Sequence, residues 1–145
     1  AEERLRILSG LYGVLRPSDG VLPYRLDVGQ SLDGQRLLHY WKDSVTDWLV
    51  ADAAGAPVVN CASDEYAEVL DRPRFAQWID CVFLQTVNGK TRSVSALSKQ
   101  ARGAMARFLA NHSSDDPEVA KEFKSEGYTF QRAASNETRW VFVRS

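Results

Sequence analysis

The sequence is poor in the residues that metal sites, cofactor loops and membrane spans require. It has only two cysteines and two histidines among 145 residues, whereas a structural metal site needs about four ligands at short spacings. No apolar run approaches the roughly 20 residues that cross a bilayer, and no secretory signal pattern is present. Neither a GxGxxG fingerprint nor a P-loop occurs. We therefore expect a cytoplasmic chain with no metal, no cofactor and no membrane partner.

The two cysteines, Cys61 and Cys81, lie in apolar segments. They lack CxxC spacing and have no histidine close by in the sequence. We interpret them as two reduced, buried thiols rather than as a disulfide or a nucleophile.

Charge is present but unevenly distributed. The net charge is only −1, which argues against a generic polycation that coats nucleic acid. From Cys81 to His112, however, the chain carries basic residues and no acidic ones; they are Lys90, Arg92, Lys99, Arg102 and Arg107. This segregation predicts a basic surface patch.

Hydrophobic periodicity predicts alternating strands and helices, and therefore an α/β (mixed α+β) fold. We expect a single compact domain with a mixed sheet flanked by helices. The predicted helices are Arg36–Leu49 and Ser98–Asn111. The predicted strands are Ile7–Leu15, Tyr24–Val28, Pro57–Ala62, a hairpin of Trp78–Thr86 with Thr91–Ser95 around Asn88-Gly89, and a closing hairpin of Tyr128–Arg132 with Arg139–Arg144.

The N-terminal apolar run contains Gly10 and Gly13, which in a strand indicate close backbone approach or a bulge. A turn follows at Pro17–Gly20. Arg16 and Arg25 lie on either side of this turn. We therefore interpret the segment as a strand that ends at a functional surface.

The helix predicted from Ser98 violates two local preferences. Lys99 and Arg102 would stand in its first turn, where the helix dipole disfavours cations, and Gly103 would lie in its interior. Arg107 falls on the same half of the helix. A bound anion would relieve both charges. Alternatively, these are solvated cations and Gly103 allows a close crossing.

The segment Asn60–Tyr66 is predicted to pass from a strand into a helix with Ser63 as the N-cap. Asp64 and Glu65 then fall in the first helical turn, where acidic residues suit the dipole. They are either capping residues or, at the carboxyl end of a strand, an acid–base pair.

Four motifs together resemble the YaaA family of bacterial peroxide-stress proteins. They are LSGLYGVLRPSD with PYRLDVG within Leu8–Gly29, NCASDEY at Asn60–Tyr66, NGKTRSVSALSKQARGAMARF at Asn88–Phe108, and SEGYTF at Ser125–Phe130. They follow the family's order and cover nearly the whole chain. The resemblance implies that residues 1–145 form the C-terminal part of a YaaA-like domain, with the family's N-terminal portion absent.

The resemblance also implies a function. YaaA-like proteins are linked to protection against hydrogen peroxide, to binding of double-stranded DNA and to restraint of intracellular iron, with a positively charged cleft. The phosphate-binding residues carried over to this sequence are Arg16, Tyr24, Arg25, Lys99, Arg102 and Arg107. We expect them to line one cleft, which Gln100 weakens because the family is commonly richer in lysine there.

Three hypotheses follow. The leading one is a stress-protective DNA-binding protein whose basic cleft engages phosphates. The alternative is an enzyme for a small phosphorylated or nucleotide-like substrate, in which arginines hold the anion and Asp64 or Glu65 supplies acid–base chemistry. The third is a scaffold for the rest of a YaaA-like protein.

Overall fold

The computed structural model describes residues 3–145, which divide into two compact units. Unit 1 comprises residues 3–56 together with Ala62–Ala76, and unit 2 comprises Pro57–Cys61 together with Gln77–Ser145. The predicted mixed α/β class is confirmed, because helices accompany a sheet with both parallel and antiparallel strand pairs. No helix within residues 3–145 is long and apolar enough to cross a bilayer.

Unit 1 is built from short elements around one long helix. In chain order they are β1 (Ile7–Ser9), β2 (Gly13–Leu15), β3 (Ser31–Leu32), β4 (Gln35–Arg36), α1 (Leu37–Ala53), α2 (Asp64–Ala67) and a 3₁₀ helix at Arg72–Arg74. β1 pairs with β2 and β3 with β4, both antiparallel.

The prediction of one buried strand over Ile7–Leu15 is wrong, because this segment is a hairpin. Ile7 pairs with Leu15 and Ser9 with Gly13, and Gly13 has a φ of 74°, which lets the chain reverse where most residues would be strained. The close approach predicted at Gly10 is confirmed, since a Cβ there would overlap the Leu26 carbonyl oxygen. The predicted strand at Tyr24–Val28 is a loop.

Helix α1 confirms the first predicted helix and runs four residues further than Leu49. Leu38 and Val45 lie on its buried face, as the three- and four-residue apolar spacing predicts. The helix ends where Ala54 and Gly55 adopt positive φ, a common way to terminate a helix. Trp48 of the same helix is 38% exposed.

Unit 2 is a five-stranded sheet with one long helix. Its strands are β5 (Val58–Asn60), β6 (Trp78–Val87), β7 (Lys90–Arg92), β8 (Tyr128–Phe130) and β9 (Arg139–Arg144), and its helix is α3 (Ser95–Asn111). Three 3₁₀ helices lie at Pro117–Glu122, Ser125–Gly127 and Arg132–Ala134. The strand order is β5-β6-β9-β8, with β7 paired to the end of β6.

The central strand β6 organises unit 2. It pairs in parallel with β5 and β9, and it forms the predicted hairpin with β7. Asn88 and Gly89 both have positive φ at the turn, which is the reason that Asn-Gly favours tight hairpins. The predicted closing hairpin of β8 and β9 is also confirmed.

An aromatic cluster fills the core of unit 2. The Phe83 ring stacks on Phe142 at a centroid distance of 5.3 Å and meets Tyr128 edge-on at 5.3 Å. Ala101 and Met105 of α3 are fully buried in the same core. One face of α3 is therefore fixed against the sheet, and the opposite face is left for solvent.

Candidate functional site

The loop after the β1–β2 hairpin is held by hydroxyl groups. The Ser9 and Tyr24 hydroxyls are hydrogen-bonded at 2.5 Å, and Ser9 Oγ also accepts from the Tyr12 backbone N–H at 2.9 Å. The Tyr12 and Tyr24 rings meet edge-on with centroids 5.6 Å apart. This network fixes the position of Tyr24 in unit 1.

Arg16 lies beside a small open cavity in unit 1. The cavity has a volume of about 300 Å³ and is lined by Val14, Leu15, Arg16, Asp19 and Trp48. The Arg16 guanidinium lies 5.5 Å from the centre of the Trp48 ring, within the range of a cation–π contact. The predicted turn positions it, because the Arg16 backbone N–H donates to the Asp19 carboxylate at 2.7 Å.

Arg16 is only weakly neutralised. Asp52 lies 3.6 Å from the Arg16 guanidinium but 2.8 Å from the Nε of Arg6, so Arg6 is its stronger partner. The Arg16 side chain is 49% exposed, and ion pairs at such exposure contribute about 0–1 kcal/mol. An incoming anion could therefore displace the Asp52 contact at little cost.

The loop that carries Arg25 packs against helix α2. A Cβ at Gly29 would meet the Glu65 carboxylate, which shows that the end of the Glu65 side chain lies against this loop. The pKa of Tyr66 is raised, first by burial and then by the Asp27 carboxylate. Within unit 1 the structure thus brings the PYRLDVG motif beside Glu65 and Tyr66, the last residues of the NCASDEY motif, and Arg25 stands exposed on this loop.

Asp64 and Glu65 occupy the first turn of α2, and both side chains are exposed. Ser63 is the N-cap residue by position, as predicted, but its side chain makes no capping hydrogen bond. Both interpretations of the two acids, as capping residues or as an acid–base pair, stay predictions.

The predicted start of the second long helix is wrong. α3 begins at Ser95, so Lys99 and Arg102 are its fifth and eighth residues and lie beyond the first turn. Ser98, whose type favours an N-cap, instead donates its hydroxyl to the Phe83 carbonyl at 3.1 Å. Because the dipole effect fades within the first turn, the helix does not disfavour these cations, and they do not indicate an anion at its N-terminus.

The exposed face of α3 carries a basic stripe, which we define as Lys99, Arg102, Gly103 and Arg107. Lys99, Gly103 and Arg107 follow at intervals of four residues, so they lie one above another on the helix, and all three are exposed. Arg102 flanks them, its Nε donating to the Ser98 carbonyl at 3.2 Å.

The stripe has an acidic neighbour. Gln100 donates to the Glu126 carboxylate at 3.4 Å, so the residue predicted to weaken the basic patch also holds an acid beside the helix.

The packing around Gly103 does not require a residue without a side chain. A Cβ placed there would meet nothing within 4 Å, so the close crossing suggested by the sequence is wrong. Glycine inside a helix is less favourable than alanine by about 1 kcal/mol. We expect Gly103→Ala to raise the free energy of unfolding by about 1 kcal/mol, measured by denaturant titration.

Gly89 provides the control, because a Cβ there also meets open space but the residue has a φ of 73°. Gly89→Ala is expected to lower the free energy of unfolding by about 1 kcal/mol, since a side chain disfavours the left-handed region. A destabilised Gly103→Ala variant would show that the glycine has a packing role.

The sequence-predicted site residues fall into two sets. Arg16, Tyr24 and Arg25 belong to unit 1 with Asp64 and Glu65, whereas Lys99, Arg102 and Arg107 belong to unit 2. One cleft shared by both sets stays a prediction. Within residues 3–145, no group of three or more His, Cys, Asp or Glu side chains is arranged to hold a metal ion.

Sequence patterns missed Ser9, Tyr12 and Trp48. The contacts of Trp48 with Arg6 and Arg16 depend on how the hairpin packs on α1, and no local spacing encodes that. A usable signal for Tyr12 was its place between Gly10 and Gly13, the two glycines that shape the hairpin.

Comparison with known proteins identifies the family. A family model described as peroxide stress protein YaaA matches residues 1–134. The chain belongs to the YaaA family. This confirms the resemblance inferred from the four motifs.

Curated relatives agree with this assignment. A UPF0246 protein of Neisseria meningitidis serogroup A is 44% identical over 149 residues, covering 98% of this chain and 58% of the relative. A UPF0246 protein of Cupriavidus pinatubonensis is 46% identical over 155 residues, covering 99% of this chain and 59% of the relative. A UPF0246 protein of Idiomarina loihiensis is 42% identical over 153 residues, covering 100% of this chain and 59% of the relative. This YaaA-family chain thus spans less than two thirds of the length of these relatives.

Proposed function

We propose that this YaaA-family chain acts in the response to peroxide stress as a cytoplasmic DNA-binding protein that engages backbone phosphates. The observation that carries the proposal is the basic stripe on α3. Its cations face away from the core of unit 2, and no acidic residue occurs between Cys81 and His112. Phosphate contacts from lysine and arginine supply most of the affinity in non-specific DNA binding.

The geometry of the stripe suits an extended polyanion. Residues four apart on a helix are separated by about 6 Å along the axis, close to the spacing between successive phosphates of a DNA strand. Lys99 and Arg107 are eight apart, and Gly103 leaves open space between them. A strand lying along α3 could therefore contact both cations without meeting a side chain at the centre.

Gly103 supports a functional role independently of charge. Its roughly 1 kcal/mol cost to the helix is not offset by a close contact in unit 2. Such local violations occur preferentially at functional sites. We infer that the position stays small so that a phosphate backbone can approach the helix.

A cavity in unit 1 favours a second candidate function, catalysis on a small phosphorylated or nucleotide-like substrate. The 300 Å³ cavity beside Arg16 and Trp48 is at the small end of ligand sites, and its ring and guanidinium suit a base and a phosphate. Glu65 and Tyr66 lie against the neighbouring loop, where Asp64 or Glu65 would serve as acid or base.

The two functions are separated by a thermal-shift measurement on the 145-residue chain. A ligand that binds only the native state raises its stability, by about 2.7 kcal/mol at a concentration 100 times the Kd. We expect a duplex of about two helical turns to raise the melting temperature, and inorganic phosphate or nucleoside triphosphates to leave it unchanged. A melting temperature raised by a nucleotide and not by duplex would support the enzymatic function. If neither ligand raises the melting temperature, both proposed functions are contradicted.

A further inference from the structure

Cys61 and Cys81 are neighbours across two parallel strands of unit 2. The register of β5 on β6 pairs Val59 with Ile79 and Asn60 with Asp80, and the residue after each member of the last pair is a cysteine: Cys61 directly follows β5, and Cys81 lies within β6. Adjacent strands are about 4.8 Å apart, and disulfides form across Cα separations of about 4.4–6.8 Å. The backbone therefore already provides the separation that a disulfide needs.

Both side chains lie on the same side of the sheet. Cys81 belongs to the buried cluster around Phe83 and is only 8% exposed, and Cys61 packs against that cluster. Cys61 is half-buried, so it is the more accessible of the two residues. β5 ends at Asn60, so Cys61 lies one residue beyond the paired part of the strand.

The two thiols are also in direct contact, and both are free. Their hydrogen bond and the burial of Cys81 raise the pKa of the Cys81 thiol well above its ordinary value. Cys61 is the more exposed of the two, so the two cysteines are suited to different steps: Cys61 to meet the oxidant and Cys81 to resolve.

We propose that Cys61 and Cys81 form an oxidation site, at which a hydroperoxide oxidises Cys61 and Cys81 then closes an intramolecular disulfide. This proposal is independent of phosphate binding. It also revises the sequence-based interpretation of the pair as two reduced, buried thiols.

The chemistry balances with hydrogen peroxide as the oxidant. The Cys61 thiolate attacks one peroxide oxygen; an S–O bond forms, the O–O bond breaks, and the departing hydroxide takes up a proton to become water. The Cys81 sulfur then attacks the Cys61 sulfenic acid; an S–S bond forms, the S–O bond breaks, and the Cys81 proton leaves in a second water. Two thiols lose two electrons, and the peroxide gains them.

The test is mass spectrometry on the 145-residue chain treated with hydrogen peroxide and then alkylated under denaturing conditions. Trypsin places the two cysteines on separate peptides, Asp43–Arg74 and Phe75–Lys90. We expect these peptides to appear linked, the intact protein to lose the mass of two hydrogen atoms, and a thiol reductant to reverse both changes. Reduced cysteines after treatment, or disulfides only between separate molecules, would overturn the proposal.

Single variants assign the roles. Cys81→Ala should accumulate a sulfenic acid on Asp43–Arg74 that a dimedone-type reagent traps, because nothing remains to resolve it. Cys61→Ala should slow loss of the Cys81 thiol at least about tenfold, since a buried, protonated thiol reacts poorly. Equal rates in the native chain and in Cys61→Ala would contradict the assignment. Circular dichroism establishes that each variant is folded before oxidation is measured.

Discussion

Gly10→Ala is expected to lower the free energy of unfolding by about 3 kcal/mol, at the upper end of the cost of overpacking a site. The added methyl group would overlap the Leu26 carbonyl oxygen and crowd the Asp27 carbonyl carbon. Both are backbone atoms, so no side-chain rotation can relieve the overlap. The chain must instead displace the loop that carries Tyr24 and Arg25.

Gly20→Ala is the matched control for Gly10→Ala. Gly20 lies in the same segment, is exposed, and has no atom within 4 Å of an added Cβ. We expect Gly20→Ala to leave stability unchanged or to raise it by up to about 1 kcal/mol, because alanine restricts the unfolded chain more than glycine does. Urea titration of both variants checks the pair, and equal stabilities would contradict the packing described for the β1–β2 hairpin.

Removing the three cations of the basic stripe is expected to have the largest effect on DNA affinity. At about 50 mM salt, each lysine or arginine contact with a phosphate contributes roughly tenfold to duplex binding through counterion release. The triple variant Lys99→Ala, Arg102→Ala, Arg107→Ala should therefore bind duplex about 10³-fold more weakly. Fluorescence anisotropy with a labelled duplex measures the change.

The chain offers a control of equal charge for this experiment. Lys124, Arg132 and Arg139 are also one lysine and two arginines, exposed and within unit 2, but outside α3. Replacing all three with alanine changes the net charge by the same amount. A loss of affinity as large as that of the stripe variant would show that net charge, and not the stripe, governs binding.

Local chemistry predicted the regular elements well. The Asn88-Gly89 hairpin, the core face of α1 and the closing hairpin depend on turn type and on apolar spacing, both of which operate over a few residues. The same local rules failed at Ile7–Leu15, where apolar content suggested one strand, although Gly10 and Gly13 mark the hairpin that the structure contains. They also failed at Ser98, whose hydroxyl satisfies a strand carbonyl rather than a helix end.

The candidate site was harder to predict from the sequence, because its contacts join segments that are far apart along the chain. Nothing local indicates that Glu65 covers Gly29, that Trp48 lies under Arg16, or that Cys61 and Cys81 become neighbours across β5 and β6. Each contact follows from strand register or from loop packing. Motif content, by contrast, was sufficient to recognise the family, because the order of four motifs does not depend on knowing how they fold.

The most direct test of phosphate binding by α3 is the salt dependence of duplex affinity. The logarithm of the binding constant falls with the logarithm of salt concentration by about 0.9 for each phosphate contact. We expect the slope to become shallower by nearly 3 in the stripe variant and to stay unchanged in the equal-charge control. A stripe variant with the slope of the native chain would contradict phosphate binding by α3.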